Sequence, residues 1–203
     1  MATVNQLLTA AAEKLGDPFM ESVKLDSWLR CLNEAANDAK NADWLIKVDD
    51  ATISYVADTF EYTVPATFAY ILEVRTEDGG DLTVVPYSHW TLRDGDTPVI
   101  RFSEELYANT NVTLSVQGYK RPTVTYAAMT ETVDLNLESF LRERTLSLAA
   151  RLAAAVDQPR SNEIQALGAG AFRLSEQLLE TRMELQEAQH VTDPRHSRRV
   201  WGR

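Results

Sequence analysis

The sequence predicts an α+β protein, a helical framework carrying an antiparallel β insertion. Three observations lead there. Apolar residues recur at helical spacing in residues 1–48 and again in 126–190. Between them, over 49–125, the period falls to two. After the last helix comes a short basic segment, 191–203, expected to be an extended, partner-binding tail. The expected parts are therefore an N-terminal helix pair, a β-meander or sandwich, a long-helix hairpin and the tail.

The first helix begins at Thr3, a plausible N-cap with Gln6 at the capping-box spacing. Leu7, Leu8, Ala11 and Leu15 form its apolar stripe, and Gly16 with Asp17-Pro18 stops it. The second helix runs from about Lys24 to Asn41. Leu25, Trp28, Leu29, Leu32, Ala35, Ala36 and Ala39 make its apolar face. Cys31, beside that face, reads as a packed and inert thiol.

Alternation then marks the strands. Ile53 and Tyr55 pair in phase, as do Phe60, Tyr62 and Val64. Tyr70, Leu72 and Val74 form a third set, and Val112, Leu114 and Val116 a fourth. Leu82 to Val85 and Val99 to Phe102 supply two shorter strands. Turn signals fall at Ala57-Asp58, Asp78-Gly79-Gly80-Asp81, Asp94-Gly95-Asp96 and Asn109-Thr110-Asn111. Pro65 and Pro86 lack an N–H and should mark strand ends or edges.

The helical period returns near Leu137. Phe140, Leu141, Leu148, Leu152 and Val156 are expected to line one side of a helix ending near Asp157. Pro159 suits the first turn of the next helix, which runs to His190. There Ile164, Ala171, Leu178 and Leu185 occupy one heptad position, and Leu167, Leu174, Thr181 and Ala188 the other. Such a seam has two uses: packing on helix 137–157 as an αα-hairpin, or packing on copies of itself. The helix outruns its hairpin partner, which favours an oligomer seam of Ile164, Leu167, Ala171, Leu174, Leu178 and Leu185. Gly168 and Gly170 are expected where a neighbouring helix approaches closely.

Composition narrows the function. The net charge is −10; the tail's +3 leaves −13 on residues 1–190. An acidic body lacks the Lys and Arg that displace counterions from nucleic acid. No apolar run approaches a membrane span. The start Met1-Ala2-Thr3-Val4-Asn5 lacks the basic residues of a secretory signal, and one cysteine forbids an intrachain disulfide; both suit assembly in a reducing cytoplasm. There is no G-x-S-x-G, Walker, Rossmann or H-E-x-x-H pattern, so neither an enzyme nor a cofactor is expected. His89, His190 and His196 are scattered, and Asp94-Gly95-Asp96 lacks the further ligands of a calcium loop.

In the tail, Arg195, His196, Arg198, Arg199, Val200, Trp201 and Arg203 combine the residue types enriched at interface hot spots. A groove on an acidic protein partner suits them better than DNA, given the acidic body.

In layout, and in a few strings, the chain resembles the head-to-tail adaptors (connector or head-completion proteins) of phages. The strings are Trp28 with Leu32-Asn33-Glu34-Ala35, then Phe60-Glu61-Tyr62-Thr63-Val64-Pro65-Ala66-Thr67-Phe68, then Ile71-Leu72-Glu73-Val74. The second and third are similar to the family's Y-T-L-P…F…EV string, with Val64 in the usual Leu place. Tyr119-Lys120-Arg121-Pro122, two helices and a tail follow. The resemblance implies a structural virion protein of the neck, assembled in the host cytoplasm. It implies a ring, commonly dodecameric, docked beneath the portal protein and joined to a tail or stopper protein. Genomic DNA would pass through without sequence-specific binding, and residues 191–203 would be the portal-binding arm. The alternatives are another neck-ring component, a DNA-binding regulator using the tail, or an enzyme gathering some of His89, Asp94, Asp96, Glu104 and Glu105.

Overall fold

A computed structural model describes residues 2–56, 58–65, 68–78, 81–93, 99–103, 112–192 and 198–199, with backbone only at 49–51, 78, 135, 187–192 and 198–199. Its order is α1 (Val4–Leu15), α2 (Leu25–Asn41), β1 (Ile46–Ser54), β2 (Glu61–Thr63), β3 (Phe68–Asp78), β4 (Asp81–Val84), β5 (Trp90–Arg93), β6 (Val99–Phe102), β7 (Thr113–Lys120), α3 (Glu138–Val156), α4 (Ser161–Thr192) and β8 (Arg198–Arg199). This is the α+β class the sequence predicts. The chain divides into two compact units. The helical unit takes residues 1–44 and 122–186, and the strand unit takes 45–121 and 187–203.

In the helical unit the start of α1 is fully satisfied. Thr3 Oγ1 accepts the Gln6 N–H, and Gln6 Oε1 accepts the Thr3 N–H. The next free donors, Val4 and Asn5 N–H, go to the carbonyls of Glu131 and Met129 at 2.9 Å. Gly16 closes the helix at φ 76°. Helix α2 keeps its predicted bounds, with Trp28, Leu32 and the three alanines buried. Asn33 adds a tie between distant segments. Its Oδ1 accepts the Tyr126 N–H at 2.8 Å, and its Nδ2 donates to the Tyr126 carbonyl at 3.2 Å.

Helix α3 packs against both α1 and α2. Its buried face differs from the expected one. Phe140 and Leu141 are buried as predicted, but Leu148 and Leu152 are half-buried and Val156 is 69% exposed. Thr145, Leu146, Ser147, Ala149, Ala150, Ala153 and Ala154 are buried instead. Helices close in on several sides, so α3 has no single stripe, and small residues let them near. Helix α4 follows after a tight turn whose Asp157 carboxylate accepts the Arg160 N–H. A Cβ added at Gly168 would sit 2.8 Å from Ala150 Cβ, so here the helices touch through glycine. Gly170, expected to do the same, has nothing within 4 Å.

The strand unit holds two antiparallel sheets. One runs β1-β7-β3-β4, with β8 also paired to β3; the other runs β2-β6-β5. A simple meander is excluded, because β7 inserts between β1 and β3. One apolar core draws on both sheets, including Tyr62, Trp90, Ile100 and Phe102 from one and Ile71, Val74, Leu114 and Val116 from the other. The phase of β3 corrects the sequence reading. Register shifts between Phe68 and Tyr70 and between Ile71 and Glu73 add a residue each. Phe68, Ile71 and Val74 therefore reach the main core. Tyr70 and Leu72, expected beside Val74, instead pack with Leu45, Ala69 and Tyr119. Gly118 sits opposite this irregular stretch, where a Cβ would meet the Tyr70 carbonyl oxygen. Trp90–Arg93 forms a strand that the alternation did not reveal. Thr63 and Val84 end their strands just before Pro65 and Pro86. The turns Asp94-Gly95-Asp96 and Asn109-Thr110-Asn111 lie outside the described residues.

The two α4 glycines should respond oppositely to alanine. Gly170→Ala is expected to stabilise the fold by about 1 kcal/mol, the helix-propensity difference. Gly168→Ala is expected to destabilise it by about 1–3 kcal/mol, because Ala150 cannot yield without moving α3. Urea unfolding of both variants measures the sign directly.

Candidate functional site

The predicted seam on α4 divides in two. Ile164 and Ala171 are buried in their own unit, together with Gly168 and Ser175. They cannot also face a second copy, so they leave the oligomer seam. Leu178 is half-buried. Leu167, Leu174 and Leu185 are 37%, 42% and 51% exposed. At 100° per residue these three fall within about 20° of one another, flanking the buried face. The heptad pattern fits two adjacent stripes, and the hairpin uses only one of them.

The end of α1 borders that flank. Glu13, Lys14, Leu15 and Gly16 line a cleft of about 390 Å³ with Arg160, Glu163, Ile164 and Leu167. Beyond Gly16 the chain makes a braced loop. The Asp17 carboxylate is buried and accepts the N–H groups of Glu21, Ser22 and Val23 at 2.8, 3.0 and 3.1 Å. Met20 takes φ 53°. The loop holds Phe19 outward, 83% exposed. Sequence reading missed this residue, taking Asp17-Pro18 only as a stop signal.

On the opposite flank of α4 lies an apolar cleft of about 440 Å³ shared with α3. Ala150, Gly168, Ala169 and Phe172 form its floor and walls, with Arg151, Gln165 and Arg173 at its rim.

Charged side chains bind the helices together. The Glu143 carboxylate on α3 is buried and accepts from Lys14 Nζ of α1 and Arg142 Nε. Arg144 reaches Asp38 of α2 at 2.7 Å and Glu176 of α4 at 3.0 Å. Its guanidinium lies 4.6 Å from the Phe172 ring centre. One arginine thus ties three helices.

Among the described residues, no group of three or more His, Cys, Asp or Glu side chains could hold a metal ion. His89 ends a short 3-10 turn, half-buried, and its carbonyl accepts the Ser103 N–H and hydroxyl. Asp94, Asp96, Glu104, Glu105 and His196 lie outside the described residues, as does the side chain of His190. A cleft of about 730 Å³ in the strand unit holds Lys47 and Glu73, and Glu73 pairs with Arg75. No helix is long and apolar enough to cross a membrane.

The tail enters the fold at one point. Arg198 and Arg199 pair antiparallel with Ile71 and Tyr70 of β3. β4 covers β3 only from Arg75 to Asp78, which leaves the lower edge open for this pairing. Part of the tail, expected to fold on a partner, thus pairs with its own subunit. Arg195, His196, Val200, Trp201 and Arg203 lie outside the described residues.

No protein-family model and no curated protein sequence matches the chain.

Two predictions follow from the helical unit. Arg144→Ala should lower stability by about 1–2 kcal/mol, because it removes the ion pairs to the half-exposed Asp38 and Glu176 and the packing on Phe172. Thermal unfolding tests this. Cys31 is buried, and desolvation, aided by Glu34 and opposed by Arg30, lifts its thiol from 9.0 to about 11. Above pH 9 the unfolded chain loses this proton while the folded chain keeps it. Stability should therefore fall as pH rises from 9 to 11, and Cys31→Ala should remove that part of the fall. Denaturation midpoints at pH 8, 9, 10 and 11 check the sign.

Proposed function

We propose that the chain is a structural adaptor of a phage neck, a ring of copies joining the capsid portal protein to a tail or stopper protein. The observation that carries this reading is the second apolar stripe of α4. Leu167, Leu174 and Leu185 stay exposed on a helix whose adjacent face is already buried. Three exposed leucines on one line of a helix are an apolar strip, and another subunit is the simplest cover for it. The step from oligomer to neck rests on the resemblance in element order and in the strings around Trp28, Tyr62 and Ile71.

Within this reading the tail is the portal-binding arm. Its backbone can pair with a strand, as Arg198 and Arg199 do with β3, and an edge on a partner could replace that one. The net −13 of residues 1–190 suits a channel through which duplex DNA slides without anchoring.

Purified protein mixed with purified portal rings provides the test. The full chain should form a closed ring on the portal by electron microscopy. Deleting Val191–Arg203 should leave the thermal midpoint nearly unchanged and abolish docking, and Trp201→Ala should weaken docking more than any single Arg→Ala. Full-strength docking by the truncated chain would remove the arm, and no docking by the full chain at micromolar concentration would remove the function.

A further inference from the structure

The two flanks of α4 carry matching halves of a contact. We propose that Phe19 of one copy inserts into the α3–α4 cleft of the next, making a head-to-tail interface between copies of this chain. The proposal deepens the ring reading, on which it rests for the presence of a second copy.

Phe19 has the form of an interface anchor. It is 83% exposed, yet its loop is fixed by three N–H bonds to the buried Asp17 carboxylate. A rigid, outward aromatic side chain loses little conformational freedom on insertion. The cleft offers a matching hole. Its volume of about 440 Å³ can hold a phenyl ring, and its floor is Ala150, Gly168 and one side of Phe172.

Charge complements shape. Near Phe19 the exposed carboxylates are Glu21, two residues on, and Glu13, in the last turn of α1. Arg151 and Arg173 stand exposed at the cleft rim, and neither makes an ion pair among the described residues. Their guanidinium groups could meet the Glu13 and Glu21 carboxylates and lie over the face of the inserted ring.

Position decides the symmetry. Leu167 faces the α1 side, whereas Ala169 faces the cleft, and two residues of helix turn the direction by about 200°. Knob and hole therefore lie on opposite flanks of α4. A two-fold dimer would need one self-complementary patch; opposite, complementary patches give a heterologous contact that propagates from copy to copy and forms a ring where the rotation between copies closes. Leu167, exposed beside the end of α1, lies on the knob side and would be covered with it.

Analytical ultracentrifugation of the full chain up to about 1 mM tests this. Wild type should self-associate. Phe19→Ala should weaken the association about 30-fold or more, as expected of a hot-spot anchor. Ala169→Trp, at an exposed position on the cleft, should do the same with an unchanged circular dichroism spectrum and thermal midpoint. Mixing the two variants should restore a single contact, since the Ala169→Trp copy still has its Phe19 and the Phe19→Ala copy its open cleft. The mixture should then stop at a heterodimer. A wild type that remains monomeric to 1 mM, a Phe19→Ala variant that associates as wild type does, or a mixture with no heterodimer would overturn the proposal. If Phe19→Ala still forms rings on the portal at wild-type strength, this contact fails while the neck function stands.

Discussion

Helix α3 turns alanine, serine and threonine toward its neighbours, and the close packing of the helical unit depends on that choice. Larger side chains at Ala149, Ala150 and Ala153 would push α1, α2 and α4 apart. The contact of Ala150 with the backbone at Gly168 shows how little space remains. Small residues bring little apolar area, so stability must come from elsewhere. Trp28, Phe140, Leu8 and Leu32, each at most 1% exposed, supply bulk around the small-residue seam. The ion pairs of Glu143 and Arg144 then fix which helix lies beside which. A buried pair adds little net stability, but a misplaced helix would leave its charge unpaired.

The same seam shapes the surface. α4 buries Ile164, Gly168, Ala171 and Ser175, and it meets Ala150 of α3 at Gly168. A contact so narrow leaves both flanks of α4 open. One flank keeps leucines uncovered, and the other opens as the cleft against α3. Two unlike surfaces on opposite sides of one helix are thus a consequence of packing through small residues.

Legibility in the sequence followed the range of the interactions. The caps of α1 were readable because Thr3, Gln6 and Gly16 act within a few residues. The ends of α2 and the strand-ending prolines were readable for the same reason. The phase of β3 was not, because two bulges shift Tyr70 and Leu72 to a different cluster, and alternation alone carries no mark of a bulge. The heptads of α4 indicated a seam but not which half of it the hairpin would use. Asn33 gave no local signal, because its hydrogen bonds join it to Tyr126, far along the chain. Phe19 escaped notice because a lone aromatic after a proline shows neither period nor partner. Its exposure appears only once the Asp17 bonds are seen to hold the loop.

The tail can be treated by the same physics. β3 needs partners on both edges, and β4 supplies one only over Arg75–Asp78. The remaining N–H and C=O groups would face water or a second strand. Arg198 and Arg199 fill two of those places in the isolated subunit. Two residues give few ladder bonds, so the pairing is weak compared with the eight paired positions between β3 and β7. A weak strand on an open edge can be exchanged for a longer one at small cost. Arg198 and Arg199 therefore pair with the sheet through a contact that a longer strand on the same edge could replace.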